Sequence, residues 1–430
     1  MQKTGRDSSS MIALRWPDEW VQASAVDLIK GTAVGYLLVD AETRSRLGAV
    51  MARAEAEGFK LVDATTPTAG VSIVKADWPG ARPTVRPGRA LDDAVEEEDA
   101  ISAGPTGEPW VDSLGWVVQL SRVRTPNTRI WVDAQPKGGT VVRPDAYLRA
   151  LADAAANGGR WIISIDKDLA AGLQARKSEA IETWRRILRA NDFFDNHTAW
   201  RDYTRVARIA VVSDFSGENE FLTQEILNLA TRNNQPCHIL EKAKLSEAAL
   251  KGVRAAIYLD REPPDPELRR KLLAYAGSGG VLVIGSKWGK PEGTLSTAEV
   301  HARFSFYSLG KGKLAVAKEA EPDPFVVAKD VPVLISHRQD VLRVFSANAG
   351  IVYYTVAPGG KAGLVQLVNY AGSARAVWPI TVRIAESYRT ARLRTIDDPE
   401  PKNIEIASKQ GASDLFLPYI PAYAAVEVGV

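Results

Sequence analysis

Arg208-Ile209-Ala210-Val211-Val212-Ser213-Asp214 is the stretch on which the reading of this chain turns. A short apolar run closed by a polar turn has the length of a buried parallel strand rather than of a helix. A helical pattern over 218–232 follows it. Further apolar runs at 237–240, 255–259 and 281–285, with a second helix over 265–276, repeat the alternation. Strand, helix, strand at this spacing predicts a parallel sheet covered by helices. Tyr275-Ala276-Gly277-Ser278-Gly279-Gly280-Val281-Leu282-Val283-Ile284 compresses the same pattern into a helix end, a glycine turn and a central strand.

Toward the N-terminus the alternation is looser. Strand-like runs fall at 11–15, 33–39, 59–62, 71–75, 129–132 and 161–165. Helices are predicted over 41–58, 111–124, 144–157 and 178–190. About six strands are fewer than the eight of a full (β/α)₈ barrel, which takes about 250 residues. The expectation is therefore a reduced or distorted TIM-like barrel, with an ordinary open sheet as the alternative. The rhythm breaks over 79–110, where PGARPTVRPGR, LDDAVEEEDA and GPTGEPW follow one another. An irregular connection of that length is a functional lid or a disordered insert.

From Lys313 onward the pattern changes to short alternating runs: LAVAK, IVYYTV, AGLVQLVNY, PITVRI, ARLRTI and YAAVEVGV. That spacing predicts a β-sandwich. The expected fold class is multidomain α/β plus all-β, with a barrel-like unit over 1–205, an open-sheet α/β unit over 206–312 and a C-terminal β-sandwich over 313–430.

Composition narrows the function classes. The chain has 430 residues, room for roughly two to four domains. Lys+Arg 54 against Asp+Glu 52 leaves a net charge of +2. This gives no basic stripe for nucleic acid and disfavours a membrane-surface partner. No apolar stretch approaches about 18 residues, so no membrane span is expected. Cys237 is the sole cysteine, which excludes an internal disulfide and a cysteine-based zinc site. The four histidines are scattered without ligand spacing, so neither metal nor cofactor is expected. A cytoplasmic location is expected, or a secreted or periplasmic one if a signal segment has been removed.

The order of the three units, with ARIAVVSDFSGENEF, YAGSGGVLVIGS and GLVQLVNYAGSARAVWPITVRI…FLPYIPAYAAVEVGV, resembles glycoside hydrolases built like the β-galactosidases with a trimerisation domain. That resemblance implies a catalytic barrel, a flavodoxin-like middle domain related in fold to class I glutamine amidotransferases, a terminal β-sandwich, a carbohydrate substrate, and self-association through the middle domain. It does not extend to amidotransferase chemistry. Cys237, in Gln235-Pro236-Cys237-His238, lacks the flanking glycines of a nucleophile elbow. Gly217-Glu218-Asn219-Glu220 imitates the Asn-Glu pair of barrel glycosidases but follows the first strand of the middle unit. It reads as a helix N-terminus.

Glycoside hydrolysis needs two carboxyl groups about 5–9.5 Å apart, and in a barrel these stand at the C-terminal ends of strands. Asp133 and Asp166 each follow a convincing strand and form the leading pair, with Glu108 as a loop-borne third member. The competing reading of each aspartate is a helix N-cap. Arg15, Trp16, Trp78, Trp110, Asp112 and Gln135 are the candidate substrate-binding residues, the indoles as faces for a pyranose to stack on. The family's Asn-Glu pair is absent from the barrel region. Either other carboxylates do the chemistry, or the barrel binds glycan without hydrolysing it.

Overall fold

The computed structural model describes residues 12–63, 70–82, 110–137, 141–345, 350–370 and 379–430. In the first unit the strands are β1 (Ile12–Arg15), β2 (Val34–Leu38), β3 (Lys60–Val62), β4 (Val71–Ala76), β5 (Gly80–Arg82), β6 (Trp110–Asp112), β7 (Arg129–Ala134) and β8 (Arg160–Trp161). The helices are α1 (Ala41–Arg46), α2 (Gly48–Ala56), α3 (Gly115–Arg124), α4 (Pro144–Ala156), α5 (Lys167–Gln174) and α6 (Ser178–Asp195). Two three-stranded parallel sheets, β1-β2-β3 and β4-β7-β8, are joined by a parallel bridge between Leu14 and Ile163. Arg15 N donates to Ile163 O at 2.8 Å and Ile163 N to Ala13 O at 2.9 Å.

The six strands thus run in the order β3-β2-β1-β8-β7-β4, which is cyclic barrel order. One buried cluster takes Ala13, Tyr36, Leu38, Val62, Val71 and Trp131 from five of these strands and Ile162 from just beyond β8, so the sheet curls round a common interior. The closed barrel is not found: among the described residues nothing pairs β3 with β4. The antiparallel pair β5–β6 stands where a helix was expected to begin at Val111, and α3 starts only at Gly115.

The middle unit opens after a short strand, β9 (Thr204–Arg205). It contains β10 (Ile209–Ser213), α7 (Glu220–Arg232), β11 (Cys237–Glu241), β12 (Ala255–Tyr258), α8 (Pro266–Gly277), β13 (Val281–Ile284), β14 (Thr294–Leu295), β15 (Phe304–Leu309), β16 (Gly312–Ala317) and α9 (Pro324–Leu334). The sheet order is β11-β10-β12-β13-β16-β15-β14, parallel through β16 and antiparallel beyond. Its parallel part has the flavodoxin-like order 2-1-3-4-5. The run at 313–317, expected to open the terminal unit, is therefore the fifth parallel strand of the middle sheet. Pairing with β13 and β15 holds it there, and glycine permits the close approach: a Cβ on Gly312 would meet Ala276 O and Gly280 O at 2.3 Å.

The rest of the chain forms two antiparallel sheets. One has the order β17-β20-β24-β23, from β17 (Leu342–Phe345), β20 (Ile380–Ile384), β23 (Ile406–Lys409) and β24 (Ala412–Leu417). The other, β22-β21-β25-β19-β18-β9, uses β18 (Gly350–Val356), β19 (Ala362–Asn369), β21 (Thr390–Thr395), β22 (Lys402–Asn403) and β25 (Tyr423–Gly429). They share a core of alternating residues, including Val382, Ile384, Leu415 and Leu417 against Val352, Val365, Leu393 and Val426.

The six-stranded sheet has a second buried face. Ile351, Tyr353, Leu364, Val368, Tyr423 and Ala425 belong to the same core as Leu148, Leu151 and Ala152 of α4 and Ile187, Ala190 and Phe194 of α6. Asp153 sits fully buried in this seam. It accepts from Leu114 N at 2.5 Å and Tyr370 Oη at 2.8 Å, and Tyr353 Oη also donates to it. Burial pushes the Asp153 carboxyl above the usual aspartate range, against the lowering effect of these hydrogen bonds. The first unit and the terminal sheets are packed as one body.

Candidate functional site

A cleft of about 360 Å³ opens at the C-terminal ends of β1, β7 and β8, where barrel-type sheets place their sites. This volume lies at the lower end of the range of ligand pockets. Arg15, the last residue of β1, and Gln135, just after β7, meet Ser164 and Asp166 beyond β8. Trp16 forms part of the wall, and Glu19, Lys137 and Asp168 stand round the rim.

Arg15 lines the cleft and is held from beneath by an ion pair. Arg15 Nη2 lies 2.7 Å and 2.6 Å from the two carboxylate oxygens of Asp133, whose side chain is only 2% exposed. In the amide orientation that satisfies its neighbours, Gln135 Oε1 accepts from Arg15 Nη2 at 3.1 Å and Nε at 3.2 Å. One guanidinium thus bridges two strand-end acceptors, a use suited to its planar fork. Arg15 side chain is 23% exposed, so it can still present donors to the cleft.

Asp166 plays a different part. Its Oδ1 accepts from Asp168 N at 2.8 Å and Leu169 N at 3.0 Å, capping α5. Its Oδ2 accepts from Val142 N at 3.2 Å and from the Tyr147 hydroxyl. Tyr147 is held in turn by Asp166 N, which donates to its oxygen at 3.1 Å. Burial, followed by the bond to Asp166, raises the Tyr147 phenol well above its ordinary range. Both oxygens of Asp166 are engaged in fixing the α5 loop. The N-cap alternative therefore describes its bonding.

The other candidates divide. Trp16 is 4% exposed, and its Nε1 donates to Trp20 O at 3.0 Å, so it offers the cleft an edge rather than an open face. Trp78 packs edge-on against Tyr147 and Trp161, at 6.0 and 5.6 Å between ring centres, and belongs to an aromatic cluster beside the cleft. Asp112 accepts from Asn228 Nδ2 at 3.0 Å and ties β6 to α7, away from the cleft. Glu108 and the side chain of Trp110 lie outside the described residues. The structure brings together Arg15, Trp16, Asp133, Gln135 and Asp166. It adds Glu19, Lys137, Ser164 and Asp168.

In the middle unit Cys237 is buried on β11, and burial pushes its thiol up to about 12, the opposite of a nucleophile's requirement. Asn219 is structural: its Nδ2 donates to Asp214 Oδ1 at 3.1 Å and its Oδ1 accepts from Arg261 N at 2.8 Å. Among the described residues, no group of three or more His, Cys, Asp or Glu is placed to hold a metal, and no helix is long and apolar enough to cross a membrane.

No family model and no curated protein sequence matches this chain. Solved structures do. α-L-Fucosidase isoenzyme 2 from Paenibacillus thiaminolyticus aligns over 94% of this chain and 79% of its own, with a TM-score of 0.52 at 12% identity. A catalytic mutant of Gan42B, a GH42 β-galactosidase from G. stearothermophilus, aligns over 90% of this chain and 67% of its own, with a TM-score of 0.54 at 11% identity. The chain therefore shares a glycoside hydrolase-like fold along almost its whole length.

Proposed function

We propose that this protein is a glycoside hydrolase-like carbohydrate-directed protein, and that a saccharide occupies the cleft lined by Arg15 and Gln135, with Asp133 buried behind Arg15. One observation carries the reading: a charged, strand-end cleft sits in the barrel-like unit of a glycosidase-type fold. Arg15 and Gln135 supply directed polar contacts to hydroxyls, and the Trp16 edge supplies apolar contact. In this reading Asp133 positions Arg15, and Asp166 shapes the loop.

Hydrolysis by Asp133 with Asp166 has less support than binding, because a general acid or nucleophile needs an oxygen free to meet the substrate. All four oxygens of that pair already have partners. A second reading, in which the cleft is hydrolytic, is favoured by the carboxylates Asp18, Glu19 and Asp168 that line the cleft with Arg15. The two readings separate by experiment. Neutral oligosaccharides are titrated calorimetrically into wild type and Arg15→Gln, and the same ligands and aryl glycosides are assayed for turnover. Binding lost in Arg15→Gln, without turnover, supports the first reading. Turnover abolished by Glu19→Gln or Asp168→Asn supports the second, and absence of both sinks the assignment. Self-association through the middle unit, which the resemblance implies, is checked by light scattering.

A further inference from the structure

The terminal unit carries a second cleft, of about 890 Å³, where the turn after α9 meets β17, β20 and the β23–β24 hairpin. Its charges are lopsided: Arg338, Arg343 and Arg383 face a single lining carboxylate, Asp340. Arg343 and Arg383 are directly opposite each other across the antiparallel β17–β20 pair. Like charges in that position repel, so the arrangement costs stability unless an anion lies between them. Their internal partners compensate only in part. Arg343 Nε is 3.5 Å from Asp340 Oδ2, and Arg383 Nη1 is 3.5 Å from Asp414 Oδ2. Arg338 has no acidic partner among the described residues.

Asp340 supplies an independent sign. Its side chain is 2% exposed, and its Oδ2 lies 2.9 Å from His337 Nδ1, but its Oδ1 makes no hydrogen bond. A buried acceptor without a donor is uncommon, and beside a cleft it favours a ligand that brings a hydroxyl. Val333, 53% exposed, lends the wall an apolar surface. Guanidiniums for an oxyanion, an acceptor for a hydroxyl and an apolar wall together describe a sugar bearing negative charge.

We propose that this cleft binds an acidic saccharide, with its carboxylate or sulfate between Arg343 and Arg383, in reach of Arg338, and a ring hydroxyl donating to Asp340. The proposal rests on the reading that the chain handles carbohydrate, but it concerns a different site. The full chain is titrated with trigalacturonate, a sulfated galactan oligomer, neutral galactotriose and inorganic sulfate, in wild type, Arg338→Gln, Arg343→Gln and Arg15→Gln. Thermal unfolding of each variant is recorded alongside. Arg338 lies in an exposed turn, so its substitution tests the site without touching the sheet.

At least one acidic oligomer is expected to bind about tenfold or more tighter than the neutral one, with affinity falling as salt rises. Arg338→Gln and Arg343→Gln should each lose about tenfold, and Arg15→Gln should leave this binding intact. Which acidic oligomer is preferred distinguishes carboxylate from sulfate recognition. Inorganic sulfate binding as well as the saccharides would mean an adventitious ion only and overturn the proposal. Equal affinity in wild type and the arginine variants, loss in Arg15→Gln alone, or no acidic binding would overturn it too. Neutral oligomers binding through Arg15 while acidic ones ignore the second cleft would leave the proposed function standing and remove only this inference.

Discussion

Tyr353 Oη donates to Asp153 Oδ1 at 2.5 Å, joining helix α4 of the first unit to strand β18 of the terminal sheet. With Tyr370 Oη and Leu114 N on the other oxygen, one carboxylate gathers donors from three distant parts of the chain. Asp153→Ala strands all three donors inside the core. Each buried unsatisfied group costs about 1–3 kcal/mol, so a loss of about 3 kcal/mol or more is expected in urea unfolding. A change under about 1 kcal/mol would show that the seam contributes little.

The same carboxyl gives stability a pH dependence of defined sign. Its native pKa lies above the ordinary 3.8, because burial outweighs the hydrogen bonds and the nearby Arg205 charge. Its contribution is therefore fully present below 3.8 and is lost as pH rises through the raised native value. Relative to Asp153→Asn, which does not titrate, wild type should be favoured more at acid pH than at neutral pH. Parallel unfolding curves at all pH values would contradict this.

Arg15→Leu removes the cation from a carboxylate that is almost wholly buried. Breaking such a pair from one side costs about 3–5 kcal/mol. Replacing Arg15 and Asp133 together by apolar residues should cost much less, and a double-mutant cycle in chemical unfolding measures the difference.

Asp166→Ala is expected to act mainly on stability, with a loss of about 1–2 kcal/mol from the α5 cap. Saccharide affinity should change less than in Arg15→Gln. If the variant kept full stability but lost turnover of an established substrate by more than about a hundredfold, Asp166 would be catalytic.

Cys237 should resist alkylation in the native protein at pH 8, since burial raises its thiol to about 12 and shields it. Iodoacetamide labelling followed by mass spectrometry should show modification only after unfolding. Rapid native labelling would mean that β11 opens readily.

The elements that the sequence made legible are those whose burial is uniform. Ile209–Ser213 and Val281–Ile284 are buried along their whole length, and their apolar runs say so without help from the rest of the chain. The run at 313–317 reads as the start of the terminal unit because a short alternating run looks the same in either sheet. Only its parallel register with Val281–Ile284 separates the two. The candidate site was legible as a place but not as a mechanism. Strand-end position put Asp133 and Asp166 near the cleft. Whether an aspartate there faces substrate, an arginine or the next helix depends on partners remote in the sequence. Arg15, the partner of Asp133, is 118 residues away.

Strand β9, at Thr204–Arg205, lies between the first and middle units in sequence, yet it forms the edge of the terminal sheet by pairing with Thr355 and Val356. A ribosome finishes the first unit long before it makes β18, β19 and β25. Until those strands emerge, the surface of α4 and α6 that they bury stays open to solvent, with Asp153 lacking both its tyrosines. Nascent chains would therefore display an adhesive face throughout synthesis of the middle unit, and a release near residue 340 would leave it exposed for good. The last ninety or so residues act as the lock on the first two hundred, so tail truncations should be read out as aggregation rather than as loss of one separable module.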